Sequence, residues 1–400
     1  MFVELHLIQN FAPSNLNRDD TGAPKDCEFG GHRRARISSQ CLKRAIRTSF
    51  AQERLLPREH LAERTKRVVD EIAQRLVVAG KSEGEARAVV EALLRGIGLS
   101  VESDGKTQYL LFLGRDELTR IAALCEEHWD VLSKATADVP ETGGDEPPTR
   151  GRSTAREAKR RGKAEVPREV QAATLSALDG GKAADLALFG RMLADLPRLN
   201  VDAACQVAHA LSTNRASMEF DFYTAVDDLR PEDTSGADML GTVEFNSACF
   251  YRYTNVDLSQ LMTNLGDDEE LARRTLTAFL RAAISAVPTG KQNSMAAQNP
   301  PSFVFAVARE RGLWSLANAF VNPVRSGGDG LVASSISVLA AYWAQLTAMY
   351  GQTGIVTTAA VSLEPTEIAP LRDAHVGTVE ELINRIDAAA VFTVPSELQA

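Results

Sequence analysis

The order of apolar and polar positions divides the chain into segments with strand and helix periods. Alternating or continuous apolar runs predict four strands, at residues 2–9, 240–258, 302–308 and 354–363. Apolar residues at helical spacing predict helices within 54–128, 170–193, 267–287, 313–320, 330–349 and 379–390. The run at 109–113 (YLLFL) is too short for periodicity to decide between strand and helix. This order predicts an α+β fold with a long helical insertion.

Two stretches interrupt the regular pattern. Residues 137–152 have the composition of a linker, and residues 153–168 carry six cations with almost no apolar side chains. A solvated or disordered segment is the preferred interpretation of 153–168, and an RNA contact is the alternative. Residues 196–238 predict an extended excursion or hairpin, in which aromatic residues precede an acidic, loop-like end that includes Asp227 and Asp228.

The segment 30–47 (GGHRRARISSQCLKRAIR) concentrates positive charge. Two glycines precede a predicted strand with three arginines, and Ser38 and Ser39 are residues that cap helices well. Helical spacing after them predicts an apolar side of Leu42, Ala45, Ile46 and Phe50. The same spacing places Lys43, Arg44 and Arg47 on a separate, cationic side. Hydroxyls at a helix start and repeated cations suit a series of anions, so the segment predicts binding to a phosphate backbone.

Composition restricts where such binding takes place. The formal net charge is −9, which argues against indiscriminate binding of nucleic acid, so any binding must come from a local basic surface. The five cysteines are scattered without a C-x-x-C pair, which favours a reducing cytosol and argues against structural zinc or disulfides. No signal-peptide pattern opens the chain, and no apolar run approaches the ~20 residues of a membrane span. We therefore expect a cytoplasmic protein.

Two other classes of function compete with nucleic-acid binding. Asp19, Asp20 and Asp26 are carboxylates of the kind that hold Mg²⁺ for phosphodiester cleavage, so a metal-dependent ribonuclease is the main alternative. Because Arg18 adjoins two of them, aspartates that orient an arginine are the simpler interpretation. A protein-interaction scaffold without nucleic acid is favoured by the acidic charge and disfavoured by the basic segment. Common nucleotide-binding and hydrolase motifs are absent from the sequence, and we expect no enzyme, metal or cofactor.

Several longer motifs resemble one known family. They are SNLNRDD at 14–20, FGGHRRARISSQCLKRAIR at 29–47, FYTAVDDL at 222–229, FNSACFYRYTNVDLSQL at 245–261, NLG at 264–266 and VPTGKQNSMAAQNP at 287–300. Together they resemble the CasC family, the backbone subunit of the type I-E CRISPR surveillance complex Cascade. The resemblance covers most of the chain and is weak at 137–168.

The resemblance implies an architecture and an assembly. The fold is a modified RRM-like (ferredoxin-like) palm at 1–53 and 242–400, with a helical fingers insertion at 54–195 and a β-hairpin thumb at 196–241. Copies are expected to assemble head to tail along a CRISPR RNA beside other Cascade subunits, and to present the guide to target DNA. An acidic thumb tip is expected to meet a basic surface on the next subunit or another complex member.

The resemblance also implies site residues. The guide-backbone contacts fall on Arg18, Lys25, Arg33, Arg34, Arg36, Ser38, Gln40, Lys43, Arg44, Arg47, Lys291, Gln292 and Asn293. Tyr223 and Thr224, with Met192 as a helper, are the implied base-displacing residues, while ordinary hairpin packing is the alternative for Tyr223. A subunit that holds any guide sequence must contact phosphates rather than base edges, and an apolar or aromatic wedge is able to unstack a base.

Overall fold

The computed structural model describes residues 1–137, 166–225, 239–364 and 369–393. The chain divides into two compact units. The first, here called the sheet unit, comprises residues 1–55, 205–259 and 272–400, and the second, the helical unit, comprises residues 56–204 and 260–271. The implied palm, fingers and thumb boundaries are a finer division and stay predictions.

Eleven strands and twelve α-helices lie within the described ranges. The strands are β1 (Phe2–Ser14), β2 (Asp26–Phe29), β3 (His32–Ile37), β4 (Ala62–Thr65), β5 (Leu111–Gly114), β6 (Cys205–Val207), β7 (Ala210–Ser212), β8 (Glu219–Ala225), β9 (Met239–Asp257), β10 (Phe303–Arg309) and β11 (Ile355–Ser362). The helices are α1 (Ser39–Gln52), α2 (Val68–Val78), α3 (Glu83–Ile97), α4 (Arg115–Glu127), α5 (Trp129–Ala137), α6 (Arg168–Ala177), α7 (Ala184–Phe189), α8 (Leu258–Asn264), α9 (Glu269–Ser285), α10 (Gln292–Met295), α11 (Gly330–Tyr350) and α12 (Val379–Ala389).

An antiparallel sheet forms the framework of the sheet unit. Its strand order is β11-β10-β1-β9-β7-β3-β2, and β6 and β8 also pair with β9. The central strand β1 lies between β9 and β10, with Phe2 opposite Asp257 on one side and Arg309 on the other. Since β1 has neighbours on both edges, most of its residues are buried. The predicted α+β class is confirmed.

Three local predictions meet the structure with different results. The strand expected at 2–9 is longer than predicted, because β1 continues to Ser14 and Phe11 still pairs with Ala248 of β9. The helix expected at 313–320 is wrong, since its only helical part is the 3₁₀ turn Ala317–Phe320. The undecided run at 109–113 contributes to β5, which pairs antiparallel with β4.

Helix α11 is the longest helix in the described residues, and it contains no charged side chain. It packs on the sheet unit's core, where the ring centroids of Trp343 and Phe305 lie 4.9 Å apart. Its length and composition are sufficient for a membrane span, which corrects the expectation that no apolar run reaches that length. One such helix is weak evidence for a span, because core helices meet the same criterion.

The helical unit has a core of its own, to which α2, α3, α4 and α6 contribute aliphatic side chains. A buried ion pair lies inside it, with Arg191 Nη1 2.9 Å from Glu117 Oε1. Glu117 also accepts hydrogen bonds from the backbone N–H groups of Gly114 and Gly180, each at 2.7 Å. A buried charge pair needs such additional partners to offset its loss of hydration, so this pair fixes the loops around it.

The predicted hairpin after residue 196 is present as β8 and β9. The two strands pair from Glu219 opposite Phe245 to Ala225 opposite Met239. Near the base of the pairing, Phe220 and Phe222 are exposed. The acidic residues 227, 228 and those up to 238 lie outside the described residues, as does most of the predicted linker.

Candidate nucleic-acid interface

A tight hairpin presents the basic strand β3. Phe29 pairs with His32 across a two-residue loop of Gly30 and Gly31, both with positive φ, as this kind of hairpin requires. A Cβ atom at Gly30 would collide with the carbonyl oxygen of Val321. Glycine is therefore needed here both for the turn and for close packing of the hairpin on the sheet unit.

Arg34 is a structural residue, which corrects its predicted phosphate contact. Its side chain is buried, with no exposed surface. Its Nη1 donates to the carbonyl oxygens of Ser212 and Thr213, both at 2.9 Å, and its Nη2 donates to those of Phe320 and Val321, at 2.7 and 3.1 Å. Four carbonyl acceptors occupy the guanidinium, so none of its charge is offered at the surface.

The other two arginines of β3 remain accessible. Arg33 has a side chain that is 61% exposed and forms an ion pair with Asp26 of β2. Arg36 is half-buried; its Nε donates to the carbonyl oxygen of Asp26 at 3.2 Å, and its Nη1 lies 2.9 Å from His209 Nδ1. Asp26 therefore contacts Arg33 through its carboxylate and Arg36 through its backbone carbonyl.

Helix α1 starts as the sequence predicts, with Ser38 as its N-cap. Ser38 Oγ accepts a hydrogen bond from Cys41 N at 3.3 Å, and Ser38 N donates to Asn17 Oδ1 at 2.8 Å. Ser38 is buried and caps the helix, and its predicted phosphate contact stays a prediction. Gln40, two residues later, is exposed.

The cationic side of α1 lies towards solvent. Leu42, Ile46 and Phe50 are buried, as helical spacing predicts, while Arg44 is exposed and Lys43 and Arg47 are half-buried. The helix therefore sorts its apolar and cationic residues onto different sides.

Charge–charge effects indicate that cations of three segments act on the same region. Burial lowers the pKa of His209, and the positive charges of Arg36 and Lys25 lower it further. Burial raises the pKa of Cys41, and the charges of Arg44 and Lys25 oppose that rise. Lys25 therefore belongs to the same positive field as the arginines of β3 and α1.

A cleft of about 840 Å³ opens beside this field. Three segments form it: residues 16–22, α1 and residues 287–290. Its polar lining includes two cations predicted to bind RNA, two carboxylates, three hydroxyls and an amide: Arg18, Arg44, Asp19, Asp20, Thr21, Thr48, Thr289 and Gln52. Cations beside hydroxyl and amide groups suit an anionic, hydrogen-bonding ligand.

The loop that carries Arg18 is fixed by its own carboxylate. Asp19 Oδ1 accepts hydrogen bonds from Thr21 Oγ1 at 2.8 Å, Thr21 N at 2.9 Å and Ala23 N at 3.0 Å. The Thr21 hydroxyl contact lowers the pKa of Asp19. Within the described residues Arg18 forms no ion pair, so Asp19 orients the loop backbone and not the arginine, contrary to the sequence-based interpretation.

The second wall of the cleft depends on a close backbone approach. A Cβ atom at Gly290 would collide with the Leu16 carbonyl group, so the loop at 287–290 reaches the Arg18 loop only with glycine there. Gln292 Nε2 donates to the carbonyl oxygens of Pro288 at 2.9 Å and Ala297 at 3.2 Å. Gln292 therefore holds the loop, which corrects its predicted phosphate contact. Next to it, Lys291 is half-buried and Asn293 is exposed.

The predicted base-displacing residues lie in different units. Met192, in the helical unit, is 83% exposed. Tyr223, in the sheet unit, is 47% exposed and lies opposite Gly241, where a Cβ atom would collide with the tyrosine ring. Part of the Tyr223 ring thus covers a glycine in the ordinary packing of a hairpin, and the rest faces solvent. Thr224 belongs to β8 by its backbone pairing with Leu240.

Two of the three carboxylates of the ribonuclease alternative contact other protein groups. Asp19 accepts three hydrogen bonds within its loop, and Asp26 pairs with Arg33. The described part of the chain holds no group of three or more His, Cys, Asp or Glu residues placed to bind a metal ion. No specific contact favours metal-dependent cleavage over binding.

Several residues that shape the site were not found from the sequence. Asn17 links the Arg18 loop to α1: its side chain accepts from Ser38 N, and its carbonyl oxygen accepts from Lys25 N at 2.9 Å. His209 joins the site only through the pairing of β7 with β3. The one available signal was the PTG sequence at 288–290, because a glycine after proline and threonine indicates a turn.

Comparisons with known proteins agree with this arrangement. A family model described as CT1975-like protein matches residues 3–386. A solved chain described as "CRISPR RNA-guided surveillance complex, pre-nicking" is 33% identical, with a TM-score of 0.82, and the match covers 98% of this chain and 100% of that one. Another, described as "CRISPR RNA-guided surveillance complex", is 29% identical, with a TM-score of 0.70 and the same coverage. No curated protein matches the sequence. The chain belongs to the CT1975-like protein family.

Proposed function

We propose that this chain is the crRNA-binding backbone subunit of a type I-E CRISPR surveillance complex. The observation that carries the proposal is the cleft in the sheet unit, which Arg18 and Arg44 line beside the positive field of Lys25 and Arg36. Cations from a loop, a strand and a helix suit contacts to a phosphate backbone rather than to base edges. The matched surveillance-complex structures agree with this ligand.

The same proposal includes the architecture and the assembly. The sheet unit corresponds to an RRM-like palm, the helical unit to fingers, and the β8–β9 hairpin to a thumb. Copies stack head to tail along the guide, as a non-closing heterologous interface allows, and contact the other complex subunits. Met192, Tyr223 and Thr224 displace guide bases at intervals, so that the remaining bases pair with target DNA. The subunit works in the cytoplasm as a binder, without nuclease activity or a cofactor.

RNA affinity tests the cleft directly. The double variant Arg18→Ala/Arg44→Ala is compared with Arg281→Ala/Arg385→Ala, which removes two exposed arginines elsewhere in the sheet unit. The cleft variant is expected to bind crRNA roughly tenfold more weakly at 0.15 M salt. Its slope of log K against log salt concentration is expected to be shallower by about 1.4, since each phosphate contact on a single strand contributes about 0.7 to that slope. Equal losses in both variants would contradict a local binding cleft.

Incubation with Mg²⁺ tests the absence of nuclease activity. Single-stranded RNA is expected to stay intact on a denaturing gel after hours with the purified protein. If RNA is cut, and Asp19→Asn or Asp26→Asn abolishes cutting, the ribonuclease alternative replaces the proposal.

A further inference from the structure

A second polar groove lies in the helical unit, apart from the residues of the cleft. It has a volume of about 520 Å³ and lies between α6 and the loop that follows Gly190. Its lining combines two guanidinium groups, an amide and a hydroxyl with three aliphatic side chains, and contains no carboxylate: Arg168, Arg198, Gln171, Ser176, Ala172, Leu175 and Leu199. The groove lining therefore carries two positive charges and no negative one, in a chain whose net charge is −9.

The loop that supplies Arg198 is held rigidly. Arg191 and Val201 exchange backbone hydrogen bonds of 2.9 Å, which close the loop. Leu193 N donates to Asn200 Oδ1 at 2.6 Å, and the 3₁₀ turn Pro197–Leu199 carries Arg198 at its centre. A residue at a fixed position on a closed loop loses little entropy when it binds a ligand.

Two arginines of this loop have different roles. Arg191 is buried; it pairs with Glu117 and donates to the carbonyl oxygens of Leu178 and Leu199 at 2.9 and 3.1 Å. Arg198 is exposed, as is Arg168 across the groove, and neither forms an ion pair with any residue in the described ranges. The buried arginine fixes the loop, whereas the two exposed arginines leave their charge available for a ligand.

We propose that this groove binds the phosphodiester backbone of a nucleic acid. Guanidinium groups bind phosphate through paired N–H donors, and the Ser176 hydroxyl adds a further donor. The aliphatic lining suits the apolar faces of sugar and base that a nucleotide carries beside each phosphate. The proposal rests on the proposed function, because it assigns a second contact to the same nucleic-acid assembly, from either the guide or the target strand.

The test compares two charge-matched double variants. Arg168→Ala/Arg198→Ala removes the groove arginines, and Arg75→Ala/Arg95→Ala removes two arginines that pair with Glu71 and Glu91 on α2 and α3 of the same unit. Each variant is titrated with crRNA alone, and then, as an assembled complex with guide, with single-stranded target DNA. The Arg18→Ala/Arg44→Ala cleft variant is measured in parallel.

We expect only the groove variant to lose affinity, by about tenfold, for either crRNA or single-stranded target DNA. The slope of log K against log salt concentration is expected to become shallower by about 1.4. A loss with crRNA identifies the guide as the ligand, and a loss with DNA alone identifies the target strand. If the groove variant binds both like the control while the cleft variant loses RNA, the groove proposal is wrong and the proposed function stands. The groove proposal is also wrong if the groove variant binds both nucleic acids normally but fails to assemble with the other complex subunits. That result would indicate that the groove binds an acidic protein partner. If even the unaltered chain binds no crRNA, both proposals are overturned.

Discussion

Strand β3 and helix α1 adjoin in the sequence and carry three cations each, yet they place them differently. On α1, Lys43, Arg44 and Arg47 all lie away from the buried apolar side. On β3, the neighbours Arg33 and Arg34 have opposite environments, one largely exposed and one fully buried. The three cations of the helix therefore lie on one surface, whereas the three cations of the strand are divided between the core and the surface.

The difference follows from where each element finds its partners. A helix satisfies its backbone internally, so the side that is buried is set by local spacing. A strand is completed by other segments, and the carbonyl groups that hold Arg34 come from 178 and 286 residues further along the chain. Whether a strand arginine is structural or available to a ligand is thus decided by residues that its local sequence does not contain.

The largest expected effect comes from Arg34. Arg34→Met removes the guanidinium donor from four carbonyl oxygens, of which Thr213 O keeps the Val324 N–H, so we expect a loss of about 3 kcal/mol or more in the free energy of unfolding. Urea unfolding followed by the fluorescence of Trp314 and Trp343, both in the sheet unit, measures it.

Arg33→Met is the matched control for that variant. It removes one exposed ion pair from the same strand, which is expected to change stability by less than about 1 kcal/mol. Similar losses in the two variants would show that the two arginines have the same role and would break the comparison.

A buried imidazole on β1 extends the comparison to pH. Burial and the charge of Arg309 lower the pKa of His6 to about 3, from 6.5. The unfolded state therefore binds the proton more tightly, and stability is expected to fall as the pH falls from about 6.5 towards 3, by up to about 1.4 kcal/mol per pH unit. Urea midpoints between pH 7 and 4.5 measure this loss.

The nearby Glu4 acts in the opposite direction, because burial raises its pKa. The contribution of His6 is therefore the difference between the wild type and His6→Gln over the same pH range. A variant with the same pH dependence as the wild type would show that His6 titrates normally.

The capping residue between strand and helix gives a smaller effect. Ser38→Ala removes the acceptor for Cys41 N, so the unfolding free energy is expected to fall by about 1 kcal/mol. Ser38→Asp keeps an acceptor at the N-cap and is expected to restore most of the loss. If Ser38→Ala instead weakens RNA binding tenfold at unchanged stability, the hydroxyl contacts the ligand and the capping role is secondary.

The sequence predicts the site's helix and the position of strand β3 well, and it predicts the role of Arg34 and the loop contacts poorly. Spacing identified the N-cap and the buried residues Leu42, Ile46 and Phe50, because these depend on neighbours within a few residues. The approach of Gly290 to Leu16 depends on the packing of distant loops, and the hold on Arg34 depends on β7 and a 3₁₀ turn that spacing predicted as a helix. The α+β class was predictable because strand and helix periods are local signals.

The smallest expected effect concerns the Asp26 carboxylate, which pairs with Arg33. Asp26→Asn removes a negative charge that competes with a ligand phosphate, while its backbone carbonyl still accepts from Arg36 Nε. We expect the free energy of unfolding to change by less than about 1 kcal/mol. RNA affinity at 50 mM salt is expected to rise roughly twofold, and the gain is expected to vanish at 0.5 M salt, where exposed charges are screened.

Fluorescence anisotropy with labelled crRNA at the two salt concentrations measures this change. Glu28→Gln, on the same strand and opposite Arg33 in the register, is the control for a general loss of negative charge. If RNA affinity rises in Asp26→Asn and not in Glu28→Gln, Arg33 is available to the ligand, unlike its buried neighbour Arg34. A loss of affinity would instead mean that Asp26 orients Arg33 for binding, so that even the exposed arginine of β3 depends on a partner strand, as its buried neighbour does.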